Sequence, residues 1–127
     1  MKKSGLVVPV LLVLLSVVPA VMAEEDLLIW TLVENLADGR SYNYSPNSIR
    51  TVEGSIKEVY DGVVDSRSKD VRQLRIDCTA RKWAIGETKS WRDGKSVDSP
   101  NLSKDGWIWL PIGESLHPKL VEAVCGK

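Results

Sequence analysis

Four Asp-Gly pairs divide this sequence into short segments. The pairs are Asp38-Gly39, Asp61-Gly62, Asp93-Gly94 and Asp105-Gly106. Glycine adopts a positive φ without the steric cost of a Cβ atom, and aspartate tolerates the same conformation, so such pairs favour the tight turns between antiparallel strands. The pairs therefore predict a sheet of short antiparallel strands built as a meander.

Short apolar or alternating runs fill the segments between these turns. They predict strands at residues 27–33, 41–44, 55–64, 71–80, 87–91, 95–97 and 107–112. The last of these runs is apolar on both faces. It is therefore expected to occupy a covered position in the sheet.

The run at 71–80 shows the clearest strand pattern. Its apolar residues, beginning at Leu74, fall on one face, and its polar residues fall on the other. After Ala80 the apolar residues move from even to odd positions, starting at Trp83. This shift predicts a β-bulge near Arg81-Lys82.

The hydrophobic period changes near the end of the chain. Apolar side chains recur at helical spacing at Leu116, Leu120, Val121 and Val124. Pro118 suits a first helical turn, and either Ser115 or His117 can serve as the N-cap. A helix of about two turns is marginal alone, so it must pack on the sheet. The predicted fold class is α+β, an antiparallel meander with a C-terminal helix.

The first 23 residues have the layout of a secretory signal peptide. Lys2 and Lys3 form a basic start, residues 6–18 are largely apolar, and Ala23 is the small residue before an acidic stretch. Cleavage after Ala23 leaves a domain of residues 24–127 with a formal net charge of −2. The alternative is an uncleaved membrane anchor, but the apolar run is shorter than the about 20 residues that a span needs. We expect export to the periplasm or cell exterior, with no stable membrane span after cleavage.

Two cysteines lie on the predicted elements. Cys78 falls on the inward face of the 71–80 strand, and Cys125 ends the helix. An even cysteine count in an exported chain favours a disulfide, which here would tie the helix to the sheet. The alternative, a redox-active pair, lacks the close spacing and basic surroundings that lower a thiol pKa.

Three short motifs occur in order along the mature chain. They are YNYSPNSI at residues 42–49, IDCTAR at 76–81, and WLPIGES at 109–115 followed by Val124-Cys125. Their order and spacing resemble the surface-adhesin protein E-like domain family over residues 30–125. The resemblance implies an antiparallel sheet with a C-terminal helix tied to it by a disulfide, and an adhesin-like function in binding host proteins. Ser45 stands where the family motif usually has aspartate.

Composition and spacing argue against several functional classes. The formal net charge of +0 disfavours a nucleic-acid partner, which requires a basic excess. Two cysteines and one histidine, His117, are too few for the common zinc sites, so we expect no metal and no cofactor. Ser115 lies near His117 without a glycine-framed nucleophile. Asp61 and Asp77 could act as paired carboxylates, but nothing in the sequence brings them together. We predict that the protein is not an enzyme.

Aromatic residues are the candidates for binding a partner, because such rings commonly anchor protein interfaces. The candidates are Trp91, Trp107, Trp109, Tyr42 and Tyr44. Trp107 and Trp109 are predicted to share one face of a strand. Trp91, beside the Asp93-Gly94 turn, is the residue most expected to be exposed. The alternative is that the tryptophans fill the core between sheet and helix.

Two functions remain open for such a domain. The first is an exported, non-enzymatic binding module of the bacterial envelope or cell surface with a protein partner. The second is a structural subunit or assembly chaperone of an extracellular filament, such as a pilus, or of an envelope complex. The runs at 27–33 and 41–44 carry no charge, and as edge strands they would pair with another chain. Sheet extension into a homodimer or a heteromeric complex is therefore expected.

Overall fold

A computed structural model describes residues 27–126 of the chain. The predicted signal peptide and its cleavage site lie outside the described residues. The strands are β1 (Thr31–Asn35), β2 (Ser41–Tyr44), β3 (Arg50–Glu53), β4 (Ile56–Val64), β5 (Ser68–Asp77), β6 (Lys82–Arg92), β7 (Lys95–Val97) and β8 (Leu110–Pro111). A 3-10 helix, Pro46–Ser48, separates β2 from β3, and the α-helix is α1 (Pro118–Cys125).

The eight strands found in residues 27–126 belong to one antiparallel sheet. Its strand order is β1-β2-β4-β5-β6-β7. β3 also pairs with β4, so β2 and β3 follow each other along one side of that strand. β7 and β8 are arranged in the same way along β6. With α1 at its C-terminal end, the structure confirms the predicted α+β class.

Two of the Asp-Gly pairs form the predicted turns between strands. Asp93 and Gly94 both have a positive φ, 53° and 78°, and join β6 to β7. Gly39, with a φ of 88°, lies in the turn between β1 and β2. A side chain with a Cβ atom is strained in this region of backbone space, which explains the glycines.

The turn predicted at Asp61-Gly62 is wrong. Both residues lie inside β4, where Gly62 is paired with Asn43 of β2 on one side and with Val71 of β5 on the other. Regular pairing with two neighbouring strands outweighs the local preference of the dipeptide for a turn.

The hairpin between β5 and β6 closes without the predicted bulge. Arg81 has a φ of 59°, and its N–H donates to the carbonyl oxygen of Asp77 at 2.9 Å. The apolar residues change from even to odd positions near Arg81-Lys82 because the chain turns there. The prediction of a bulge at this point is therefore wrong. The irregular pairing in this hairpin occurs instead between Arg72 and Leu74.

The final predicted strand is shorter and more exposed than expected. β8 contains only Leu110–Pro111. Ile108, just before it, is 69% exposed. The covered strand predicted at 107–112 is therefore wrong. The chain enters this segment through Gly106 with a φ of 117°, a value outside the strand conformation.

The hydrophobic core lies between one face of the sheet and α1. Val59 of β4 and Leu74 and Ile76 of β5 are fully buried on that face. Leu120 of α1 is fully buried in the same cluster. Burying each such side chain contributes about 1.5–3 kcal/mol, which holds a helix too short to be stable alone. We call this side of the sheet the helix face.

Both ends of α1 are fixed by specific contacts. His117 is the N-cap, and its Nδ1 accepts a hydrogen bond from the Lys119 N–H at 3.1 Å. At the other end Cys125 is bonded to Cys78, with Cα atoms 5.6 Å apart. The structure therefore confirms the predicted helix and the predicted disulfide.

The edges of the sheet differ in part from the prediction. β2 lies between β1 and β4, so the prediction that Ser41–Tyr44 is an edge strand is wrong. Among the strands of the described residues, β1 forms the edge on that side, and β7 forms the edge on the other. Along residues 27–126 no helix is both long and apolar enough to cross a membrane.

Candidate functional site

The sheet face opposite α1 carries three of the five tryptophans. Side chains alternate between the two faces of a strand, so Lys69 and Arg75 of β5 project away from the core. Trp91 lies on the same side because it pairs directly with Lys69. Trp30 and Trp107 reach this side from segments outside the strands. We call it the tryptophan face, defined by Trp30, Lys69, Arg75, Trp91 and Trp107.

Trp30 lies over β4 at the position where that strand has a glycine. A Cβ atom on Gly62 would be 3.4 Å from Cζ3 of Trp30 and 3.3 Å from the carbonyl oxygen of Asp70. The Nζ of Lys69 is 5.9 Å from the Trp30 ring centroid, within the range of a cation–π attraction. Trp30, Gly62, Lys69 and Asn43 line a groove of about 320 Å³.

Trp91 lies on the other side of Lys69. Its ring centroid is 5.1 Å from the Lys69 Nζ, and its side chain is half-buried. A cavity of about 420 Å³ adjoins it, with Arg67 and Asp93 in its lining. The Nε of Arg67 donates to Oδ1 of Asp93 at 2.9 Å. Lys69 therefore borders both cavities and lies between two indole rings.

Trp107 makes a second tryptophan–glycine contact on the same face. A Cβ atom on Gly86 would be only 2.5 Å from Cη2 of Trp107, so this approach requires glycine. The Cζ of Arg75 lies 4.3 Å from the Trp107 ring centroid. Arg75 also donates to Glu58 at 3.1 Å, and Arg50 pairs with the same carboxylate at 2.9 Å. Trp107 is therefore half-buried and held by an ion-paired arginine.

The other two tryptophans lie elsewhere. Trp83 is buried on the helix face, where its Nε1 donates to Oγ of Ser115 at 2.8 Å. Trp109 is half-buried just before β8. The prediction that Trp107 and Trp109 share a strand face is wrong, because the strand begins only at Leu110. The tryptophans thus serve partly as core and partly as the opposite face of the sheet.

The two candidate tyrosines face the core. Tyr42 is buried, and its hydroxyl donates to Oδ2 of Asp61 at 2.6 Å. Burial, followed by the negative charge of Asp61, raises the pKa of Tyr42 well above its ordinary value. The Tyr42 ring stacks on His117 with ring centroids 5.8 Å apart. Tyr44 is half-buried against the same core. Both rings therefore pack on the helix face.

The residues considered for catalysis make structural contacts. Ser115 donates from Oγ to a backbone carbonyl at 2.6 Å, and His117 caps α1. Asp61 and Asp77 project to opposite faces of the sheet and do not form a carboxylate pair. The Ala80 N–H, followed by the Ser55 hydroxyl, holds the pKa of Asp77 below its ordinary value. In the described part of the chain, no three His, Cys, Asp or Glu side chains are grouped as metal ligands.

Comparison with known proteins gives no match: no family model, no curated protein and no solved structure matches the chain. The resemblance to the surface-adhesin protein E-like family therefore stays a prediction drawn from its motifs. The tryptophan face and the edge at β1 are the features from which a function can be argued.

The sequence pattern predicts part of the tryptophan face and misses the rest. Trp91 and Trp107 are among the predicted candidates, whereas Trp30 and Lys69 are not. A glycine inside a strand marks the close approach of another group, and Gly62 within β4 was the available signal. Its Asp-Gly context favours a turn, which masks that signal.

Proposed function

We propose that residues 24–127 form an exported, non-enzymatic module of the bacterial envelope or cell surface, which binds a protein partner along the outer edge of β1, where no strand of residues 27–126 pairs. One observation carries this proposal: apolar side chains are exposed on β1 and on the residues just before it. They are Leu27, Ile29 and Leu32. Natural edge strands are commonly protected by charges or proline, because unpaired backbone groups invite another strand. Residues 27–33 contain neither.

Asn47 orders the residues that precede β1. Its Nδ2 donates to the carbonyl oxygen of Leu27 at 2.8 Å, and its Oδ1 accepts from the Ile29 N–H at 2.9 Å. The Asn47 side chain therefore makes the hydrogen bonds that a neighbouring strand would otherwise make to Leu27 and Ile29, on the side that faces the rest of the sheet. A β-bulge between Leu32 and Glu34 limits regular pairing beyond this stretch. An edge that is already ordered loses less conformational entropy when a partner binds.

The one charged residue of β1 gives the edge little protection. The carboxylate of Glu34 lies 3.6 Å from Nε2 of His117, at the N-terminus of α1. Its charge is therefore directed to the helix face. Leu32 faces the opposite side of the sheet, since it pairs with Asn43.

Other features support the remaining parts of the proposal. The Cys78–Cys125 disulfide is compatible with an oxidising compartment. The structural contacts of Ser115 and His117 support a role without catalysis. An adhesin-like function, which the family resemblance implies, agrees with binding of a protein.

Site-specific photocrosslinking in the source cell tests the edge. A photoreactive residue replaces Leu32, and the control carries it at Leu102, because these side chains are similarly exposed, 53% and 49%. Leu102 lies in a turn rather than in a strand. We expect a crosslinked product of defined mass from position 32 alone. Equal yields at both positions, or no product from position 32, would contradict the proposal.

A structural subunit or assembly chaperone of an extracellular filament or envelope complex is the second candidate function. The observation in its favour is that β7 forms an edge on the opposite side of the sheet, with Val97 exposed. Two edges on opposite sides allow copies to join head to tail in an open assembly. A crosslink from position 32 to β7 of a second copy would identify this function. A crosslink to a filament or envelope subunit would identify the assembly chaperone, and a crosslink to any other protein would identify the binding module.

Export is tested separately by mass spectrometry of protein from the source cell. We expect Glu24 as the N-terminal residue, because Ala23 ends the predicted signal peptide. An intact Met1 in a membrane fraction would contradict both the cleavage and the localisation.

A further inference from the structure

We infer that the groove around Lys69 binds an acidic sugar, a pyranose ring that carries a carboxylate. The Lys69 groove is defined by Trp30, Asn43, Gly62, Lys69 and Trp91. It lies on the tryptophan face and is a second site, which shares Trp30 with the stretch at residues 27–33. The groove uses the ring of Trp30, whereas edge pairing uses the main chain of β1.

Two indole rings flank one ammonium group in this groove. The Lys69 Nζ lies 5.9 Å from the Trp30 centroid and 5.1 Å from the Trp91 centroid. The cavities on the two sides of Lys69 measure about 320 and 420 Å³. Both have Lys69 and Val64 in their lining, so they form adjoining parts of one groove. Indole rings offer flat apolar surfaces on which the C–H face of a pyranose stacks.

The charge of Lys69 is available to a ligand. The neighbouring arginines are ion-paired: Arg67 with Asp93, Arg72 with Asp61, Arg75 with Glu58, and Arg92 with Asp70. Among residues 27–126, by contrast, no carboxylate is ion-paired with Lys69, whose described partners are the two indole rings. A ligand carboxylate can therefore pair with the ammonium without breaking an ion pair of the protein.

The two carboxylates that line this groove among residues 27–126 are already engaged. Asp93 accepts from Arg67, and Asp65 accepts from the N–H groups of Arg67 and Ser68 at 2.8 and 2.6 Å. The Arg67 guanidinium offsets the charge of Asp93, and the two N–H dipoles partly screen the charge that Asp65 keeps. The charge at the centre of the groove is that of Lys69.

The floor of the groove favours a sugar over a peptide. It is formed by β2, β4 and β5, whose backbones are paired with one another in the sheet. Such a floor offers little main-chain hydrogen bonding to an extended peptide. Ser41 and Asn43 line the groove beside the tryptophan. The Ser41 Oγ donates to the carbonyl oxygen of Val64 at 3.3 Å and accepts from the Asn43 Nδ2 at 3.0 Å, and the Asn43 Oδ1 can still accept from a sugar hydroxyl. The indole rings can stack on the sugar ring, the polar side chains can contact its hydroxyls, and Lys69 can pair with its carboxylate.

Three small probes separate the contributions of ring and charge. We would add D-glucuronate, D-glucose or acetate to the ¹⁵N-labelled exported protein and follow the indole N–H signals by NMR, assigned with Trp30→Phe and Trp91→Phe variants. With a small exposed site, we expect glucuronate to bind with a dissociation constant of about 1 mM. The Trp30 and Trp91 signals should shift, and the signal of the buried Trp83 should not.

Variants test the role of the ammonium group. Lys69→Gln should weaken glucuronate binding about fivefold, the expected effect of losing one exposed ion pair. Lys119→Gln is the matched control, because this exposed lysine lies on α1, which packs on the other face of the sheet. The unchanged Trp83 signal verifies folding of each variant.

Four results would overturn the inference. Acetate shifting the same signals at equal concentration would indicate a general anion site. Glucose binding as well as glucuronate, or Lys69→Gln binding like the wild type, would show that the charge is not used. If no signal shifts at a glucuronate concentration about ten times the expected dissociation constant, the site is excluded.

Discussion

Arg72 donates two hydrogen bonds to the buried carboxylate of Asp61, directly across the β4–β5 ladder. Its Nε lies 2.9 Å from Oδ1, and its Nη2 bonds to Oδ2. The Tyr42 hydroxyl donates to the same Oδ2 at 2.6 Å. Because these donors neutralise and satisfy the carboxylate, a charged group can lie in the core of the helix face.

Asp61→Asn should destabilise the fold by about 3 kcal/mol, since it leaves the guanidinium without its anion. We take the lower end of the usual range because the Arg72 side chain is 31% exposed and reaches some water. Urea denaturation measures the change. Asp70→Asn is the control: its pair with Arg92 is more exposed, so the cost should stay within about 1 kcal/mol. Equal losses in the two variants would contradict the assigned role of Asp61.

Stability should fall above about pH 10 because of Tyr42. In the unfolded chain this tyrosine loses its proton near pH 10, whereas burial and the charge of Asp61 keep it protonated in the folded protein. The unfolded state then binds fewer protons than the native state, so the free energy of unfolding decreases by about 1.4 kcal/mol per pH unit. Urea titrations across this range should show a shallower decrease for Tyr42→Phe. Identical slopes in the two proteins would refute the prediction.

Removing the Cys78–Cys125 disulfide should lower the free energy of unfolding by about 4 kcal/mol. The bond joins residues 47 positions apart, and opening a loop of this length returns conformational entropy to the unfolded chain. The double variant Cys78→Ala/Cys125→Ala should also show faster amide hydrogen exchange in α1. Adding a reductant should destabilise the wild type and leave the double variant unchanged. Two free thiols in the exported protein would show that the bond is absent.

Gly86→Ala should destabilise the sheet by about 1–3 kcal/mol, the cost of overpacking. The new methyl group would lie 2.5 Å from the Trp107 ring and must displace it. Gly62→Ala is the matched comparison, because its nearest contacts would be 3.3 and 3.4 Å and need only small adjustments. Thermal unfolding and the NMR signal of the Trp107 indole would measure the difference. A larger effect at Gly62 would contradict the described packing.

Features that depend on neighbours in sequence could be predicted. The α1 helix follows from a 3.6-residue apolar period with a proline at its start and a capping side chain at His117. The hairpin at Asp93-Gly94 follows from two residues that tolerate a positive φ. Such preferences act within one turn of chain, so they persist in the folded protein.

Features that depend on distant strands could not be predicted in the same way. Asp61-Gly62 has the composition of a turn, yet β2 and β5 hold it extended on both sides. Tyr42 lies among polar residues in the sequence, which is typical of a surface strand. It is nevertheless buried, because its hydroxyl donates a hydrogen bond to Asp61. Each outcome was decided by a partner far away in the chain.

The sequence by itself determined the α+β class, the helix at the end of the chain and the pairing of its two cysteines. Only the tertiary structure decided which strand became the edge and which side chains met on the tryptophan face. Lys69 lies between Trp30 and Trp91 because three separate segments converge there. Local pattern records the conformational preference of each segment, but it holds no information on the register between strands, and that register decides which side chains become neighbours.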